Sequence, residues 1–237
     1  MIQPAQQQIH GYSETQVAAE NAAFMRKVFL IMAAGLGATA MTALVVAHSP
    51  GAVRFIFGNP LVLIGLFVAE LVMVWSFAAV ARRVSAIGAG ALFYAYSIVN
   101  GLTLSWVFLV YTSQSISNTF FITAGMFGGM SIYGYLTKRD LTSMGSFMMM
   151  GLWGLIIASV VNLFLRSTMV YWLTTFVGVV VFVGLTAFDV QKIKQLNVIG
   201  NQGTEEDHKE AIHGALILYL DFINLFLYLL RLFGRRR

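Results

Sequence analysis

The sequence has 237 residues, of which 58% are hydrophobic and only 11% are charged, with a formal charge of +5. Soluble domains run at roughly 45–50% apolar and about 25% charged residues, so the composition excludes an ordinary soluble domain. It excludes a disordered chain for the same reason. No cysteine is present, which removes disulfides, thiol nucleophiles and thiolate metal sites from consideration. Lys and Arg stand singly or in pairs between apolar runs, a membrane-topology pattern rather than a nucleic-acid face. The chain reads as a polytopic membrane protein in contact with lipid.

Residues 1–23 are polar and Gln-rich without an apolar core, so they predict a mobile cytoplasmic tail and not a cleavable signal. The tail's end is expected to begin an interfacial helix. Residues 24–237 form the membrane domain. Its first span runs from Val28 to Ala47 and is broken by His48-Ser49-Pro50-Gly51. A second covers Leu61 to Ala81 and stops at Arg82-Arg83, a third Ala86 to Tyr111, and a fourth Ser117 to Leu136. The fifth, Met144 to Leu165, ends at Arg166, and the sixth runs from Met169 to Val190. Residues 195–210 read as one long polar loop with a solvated acidic run, Glu205-Glu206-Asp207. The last span, Ala211 to Leu230, precedes Arg231 and Arg235-Arg236-Arg237. Glycines at 35 and 37, 88 and 90, and 125 and 129 are expected to let helices approach closely.

With the N-terminus inside, Arg26, Lys27, Arg82, Arg83, Lys138, Arg139, Lys192, Lys194 and Lys209 all fall inside. Only Arg54 and Arg166 fall outside, so the charge rule orients the chain N-in. Seven crossings place the final arginines outside, against that rule. Either the last segment is re-entrant, or the bias of the first six spans overrides the tail.

Ionisable residues inside spans carry the functional information, because each costs about 2.5–3.5 kcal/mol at mid-helix. Three acids qualify: Glu70 in the second span, Asp189 near the inner end of the sixth, and Asp221 in the middle of the seventh. Gly214, Ile217, Asp221, Asn224 and Tyr228 recur at spacings of three and four and share one helical face. Such a stripe should face protein or water rather than lipid. Two carboxylates brought together share a proton and titrate as a unit. Deprotonated, they offer hard oxygen ligands suited to Ca²⁺. Glu70 and Asn224 are candidate members of an ion path. The last span holds no Schiff-base lysine, and no phosphate-cradling loop, zinc-type His pair or EF-hand pattern is present. No enzyme activity and no resident cofactor are expected.

The segment Leu218-Tyr219-Leu220-Asp221-Phe222-Ile223-Asn224-Leu225-Phe226 closely resembles the last-helix motif of the Bax inhibitor 1, or transmembrane Bax inhibitor motif, family. The resemblance extends to Thr186-Ala187-Phe188-Asp189-Val190-Gln191-Lys192, to Gly101-Leu102-Thr103-Leu104-Ser105, and to Tyr133-Gly134-Tyr135 through Lys138-Arg139-Asp140-Leu141. It is greatest to bacterial members, which implies a bacterial inner-membrane location. The resemblance implies an all-α bundle of seven transmembrane helices, the last one central and wrapped by the other six. It implies a pH-sensitive Ca²⁺ leak in which Asp189 and Asp221 sense protons and meet the ion. It implies an arginine latch at the inner end of the second span, at Arg82 or Arg83, and an acidic position at Glu70. Some bacterial members are linked instead to control of a membrane protease, which implies a non-transporting interaction protein as the alternative.

Overall fold

The computed structural model describes residues 12–237, apart from the Arg82 side chain. Local chemistry fixes the helix ends. The Ser13 hydroxyl accepts from the Gln16 amide while the Gln16 carboxamide oxygen accepts from the Ser13 amide, a reciprocal cap that starts α1, Glu14–Ala47. The expected tail boundary at residues 23 and 24 therefore falls inside a helix; the part of the tail before residue 12 lies outside the described residues. Ser49 and Pro50 start a short helix, α2, Pro50–Phe57, where only a break was expected. Asn59 and Pro60 open α3, Pro60–Arg83, and Ser85 caps α4, Ala86–Leu104.

The expected third span breaks at Ser105, whose hydroxyl donates back to the Leu102 carbonyl, and resumes as α5, Trp106–Val110. Thr112 caps α6, Ser113–Leu136. Helices α7, Thr142–Leu165, α8, Thr168–Leu196, and α9, Glu205–Phe233, complete the chain. The polar loop is thus shorter than expected, 197–204, because α9 begins at Glu205. Helix α9 is unbroken over 29 residues, about 43 Å at 1.5 Å per residue.

Among the described residues, six helical stretches are long and apolar enough to cross a membrane: α1, α3 through Ala81, α4 with α5, α7, α8 and α9. The expected fourth span is a helix too, and its 24 residues are long enough. Ser113, Gln114, Ser115, Ser117, Asn118 and Thr119 dilute its first two turns, and it does not stand with the six. About half of the most apolar stretch of α9 and of α8 is buried, against 6% in α3 and α7. Exposed Leu71, Trp75, Trp153 and Phe164 accordingly face lipid.

The described residues form two compact units, 12–106 with 193–216, and 107–192 with 217–237; the chain passes between them within α5, α8 and α9. In the first unit α1 lies against α4. A methyl group on Gly35 would sit 2.4 Å from the Phe93 ring, and Thr39 donates to the Ser97 carbonyl at 2.8 Å. The head of α9 rests on α1 and α3, with Phe77 stacked on His213. In the second unit α7 packs on α8 through Gly145 against Phe188, and α9 meets α6 through Phe222 between Phe120 and Phe127. Of the glycine pairs expected to mark contacts, Gly35 does so closely; Gly37, Gly125 and Gly129 have open space around them.

Asp140 precedes α7 and accepts from the Thr142 hydroxyl and amide. These bonds hold its carboxyl below the ordinary aspartate range. A depressed folded value supports the helix start above the unfolded aspartate pKa and loses that support as pH falls through the folded value. Asp140→Asn should therefore speed hydrogen exchange at the Thr142 amide at neutral pH. The difference from the parent should disappear in acid.

Candidate functional site: a buried aspartate pair

The second unit brings Asp189 and Asp221 together. On α8, small residues fix where Asp189 stands. A methyl on Gly134 of α6 would lie 2.2 Å from the Ala187 carbonyl oxygen, so the two backbones touch directly. Gly145 receives the Phe188 ring in the same way. One turn on, Gln191 donates from Nε2 to the Arg139 carbonyl at 2.8 Å and accepts at Oε1 from the Leu141 amide at 2.9 Å. That amide clamp pins this turn of α8 to the α6–α7 connection.

On α9, Asp221 is 5% exposed and sits among buried Leu218, Phe222 and Leu225. Its carboxyl faces that of Asp189, near enough for the two to interact directly. An ionised carboxylate is acceptor-only, so a bond between two carboxyl groups requires one proton between them. Asp221 Oδ2 is buried and, among the described residues, has no hydrogen-bond partner. Lys192 acts on Asp189 electrostatically and lies 5.7 Å from the centre of the Phe188 ring.

The rest of the stripe divides. Asn224 donates to the Leu220 carbonyl at 2.8 Å, so its amide is used within its own helix. Tyr228 stacks on Phe182 and fills the space left by Gly178. Among the described residues no group of three or more His, Asp or Glu side chains could hold a metal. The two aspartates alone fall short of the six to eight oxygens that a resident Ca²⁺ takes.

Glu70 belongs to the first unit. It accepts from the Thr103 hydroxyl at 2.6 Å, and Thr103 shares the same hydroxyl with the Asn100 carbonyl at 2.9 Å. Asn100 in turn donates to the Tyr96 hydroxyl at 3.2 Å. Glu70 is thus turned from lipid onto a polar strip of α4. Arg83 closes α3 with an exposed side chain; the Arg82 side chain lies outside the described residues.

Sequence reasoning missed the ion pair of the first unit. Lys27 Nζ meets Asp207 Oδ2 at 2.5 Å, with Asp207 2% exposed, so Asp207 is no member of a solvated run. Asp207 Oδ2 also accepts from the Gly203 amide, while the Thr204 hydroxyl accepts from the Asp207 amide. Thr204-x-x-Asp207 ahead of an apolar run is a helix-start signature and was legible as such. Nothing in the spacing announces a lysine 180 residues away.

The glycine contact yields a prediction. Gly134→Ala drives a methyl into the Ala187 backbone, which no rotamer relieves, and overpacking of this kind costs about 1–3 kcal/mol. The expected result is a lowered thermal midpoint in detergent. A midpoint unchanged from the parent would show that α6 and α8 separate freely.

Comparison with known proteins follows the same residues. The family model described as Inhibitor of apoptosis-promoting Bax1 matches residues 21–237. The inner membrane protein YbhL of Escherichia coli K12 is 48% identical over 215 residues, covering 90% of this chain and 92% of that protein. A protein of Borreliella burgdorferi is 45% identical over 214 residues, with 90% and 92% covered. A membrane protein of Streptococcus pyogenes serotype M1 is 33% identical with the same coverage.

Proposed function

Because this chain belongs to the Bax inhibitor 1 family of membrane proteins, we propose that it is a pH-sensitive cation leak channel with Ca²⁺ as its ion. The reading takes the chain as a seven-span bundle centred on its last helix, in a bacterial inner membrane with the N-terminus inside. It needs neither an enzyme activity nor a resident cofactor. The observation that carries it is the Asp189–Asp221 contact, with one Asp221 oxygen buried and unpartnered. A desolvated carboxyl with spare acceptor capacity gains from any proton or cation that reaches it. One proton shared by the pair closes the site around a hydrogen bond. Its loss leaves two adjacent negative charges that repel and attract a cation.

Arg82 or Arg83 is the proposed latch that steadies the deprotonated pair. Glu70 and Asn224 are the proposed further contacts of the ion. The test is Ca²⁺, Na⁺ and K⁺ flux in proteoliposomes across a pH series. Flux that follows pH, with Ca²⁺ favoured, is expected. Arg82→Ala or Arg83→Ala should move the pH midpoint, and whichever does so should be non-additive with Asp189→Asn. If both leave the midpoint in place, no latch operates.

A second reading has one observation in its favour. Asp221 is buried among the apolar Leu218, Phe222 and Leu225 of its own helix. In that reading the chain transports nothing and modulates a membrane protease by contact. Absence of flux at every pH, together with co-purification of a protease, would select it.

A further inference from the structure

The second unit carries a basic end that the aspartate pair does not use. Arg231, Arg235, Arg236 and Arg237 are all exposed, and Arg166 closes α7 at the same end in a left-handed conformation, φ 50°. The backbone of the final residues is held in place. The Thr112 amide donates to the Arg235 carbonyl at 3.2 Å, the Arg237 amide to the Val110 carbonyl at 2.9 Å, and the Arg235 amide to Ser115 Oγ at 3.0 Å. Residues 235–237 therefore lie as a short strap across the α5–α6 connection, with an isolated bridge between Tyr111 and Arg236. The Arg236 side chain lies near the Tyr111 and Tyr171 side chains and interacts with both. Arg231 lies 5.9 Å from the Tyr171 ring centre and 5.3 Å from that of Tyr228.

None of these arginines pairs with a carboxylate side chain among the described residues. The unit's only acids are Asp140, Asp189 and Asp221. Asp140 stands at the far end of α6, and the other two lie on α8 and α9 away from the strap. Around the basic end the surface is apolar and lipid-facing, with Leu165 64%, Met169 80% and Trp172 41% exposed. Tyr171 and Trp172 add the aromatic rings that sit at headgroup level. Exposed guanidinium groups on a held backbone, beside hydrocarbon-facing side chains, match one ligand chemistry, a phosphodiester on an acyl-chain anchor.

We propose that this end of the protein is a binding site for anionic phospholipid, with the strap arginines and Arg231 holding the headgroup phosphate and Met169 and Trp172 flanking its chains. The site is independent of whether the aspartate pair conducts ions. It also gives the final arginines a reason to stand where the charge rule opposes them, since bound anionic lipid neutralises them.

The test uses the full chain, purified in mild detergent and exchanged into nanodiscs of phosphatidylcholine with and without phosphatidylglycerol. Lipid retained after return to detergent is counted by native mass spectrometry. We expect phosphatidylglycerol to be retained over phosphatidylcholine by about tenfold at low salt, and less at high salt because screening weakens the attraction. Replacing Arg231, Arg235, Arg236 and Arg237 together by Gln should reduce the preference to about twofold or less. The same four changes to Lys should keep most of it. Circular dichroism of each variant guards against misfolding, and Arg235→Gln with Arg237→Gln alone should give an intermediate preference. Equal retention of the two lipids by the parent overturns the proposal. So does an unaltered preference in the four-Gln variant. Loss of bound phosphatidylglycerol to millimolar inorganic phosphate also overturns it, since the site would then read phosphate alone.

Discussion

Asp221→Asn should abolish the pH response of cation flux while leaving the fold intact. Asparagine keeps the shape of the side chain, and its amide donates permanently to Asp189 in place of the shared proton. The variant is thereby fixed in the arrangement that the parent adopts only when protonated. In proteoliposomes its flux should be flat across a pH range in which the parent's changes severalfold. Asp189→Asn should flatten the response less, because Asp189 is only half-buried and has Lys192 nearby. A parent-like pH curve for Asp221→Asn removes the pair from the gate. A flat curve for parent and variant alike, at measurable flux, instead makes the protein a leak without a proton sensor.

Lys27→Met should markedly destabilise the first unit. It leaves Asp207, 2% exposed, without the cation that compensates its burial. Breaking a buried pair from one side costs about 3–5 kcal/mol. Lys27 is itself 26% exposed, and the Gly203 amide still donates to Asp207, so the lower end of that range applies. The loss should appear as a shift in the unfolding midpoint in mixed detergent. Adding Asp207→Asn to Lys27→Met should recover part of it, because the uncompensated charge is gone. A loss below about 0.5 kcal/mol for Lys27→Met would mean that water reaches Asp207 once the lysine is removed.

The spans were legible because lipid demands long apolar runs, and their ends because Ser, Thr, Asn and Pro cap helices in recognisable places. The aspartates stood out for the complementary reason, an acid being costly in an apolar run unless something holds it. What escaped the sequence is of two kinds. Amphipathic α2 is eight residues long, shorter than any pattern that separates a helix from a loop. The other kind is distance along the chain. Lys27 and Asp207, Leu141 and Gln191, and Thr112 and Arg235 are joined by packing that no local spacing encodes. Gly134 and Gly145 looked no different from Gly125 and Gly129, because a close backbone contact depends on which helix lies opposite.

The connection 197–204 is the longest stretch of polar sequence between helices after α1, where a protease site or an inserted epitope would ordinarily be placed. Its first half is fastened to the start of α1. Asn197 donates to Asn21 at 2.9 Å, and the Gly200 amide donates to Glu20 at 2.8 Å, next to the Tyr12 hydroxyl. The Lys27–Asp207 pair closes the far side. At 34 residues, α1 is about 51 Å long and reaches well past the roughly 30 Å of hydrocarbon, so its first turns form a post rising from the membrane surface. The connection is moored to that post. To a protease it presents as part of a folded body, and an insertion there would prise apart α1 and α9 rather than decorate a loose loop.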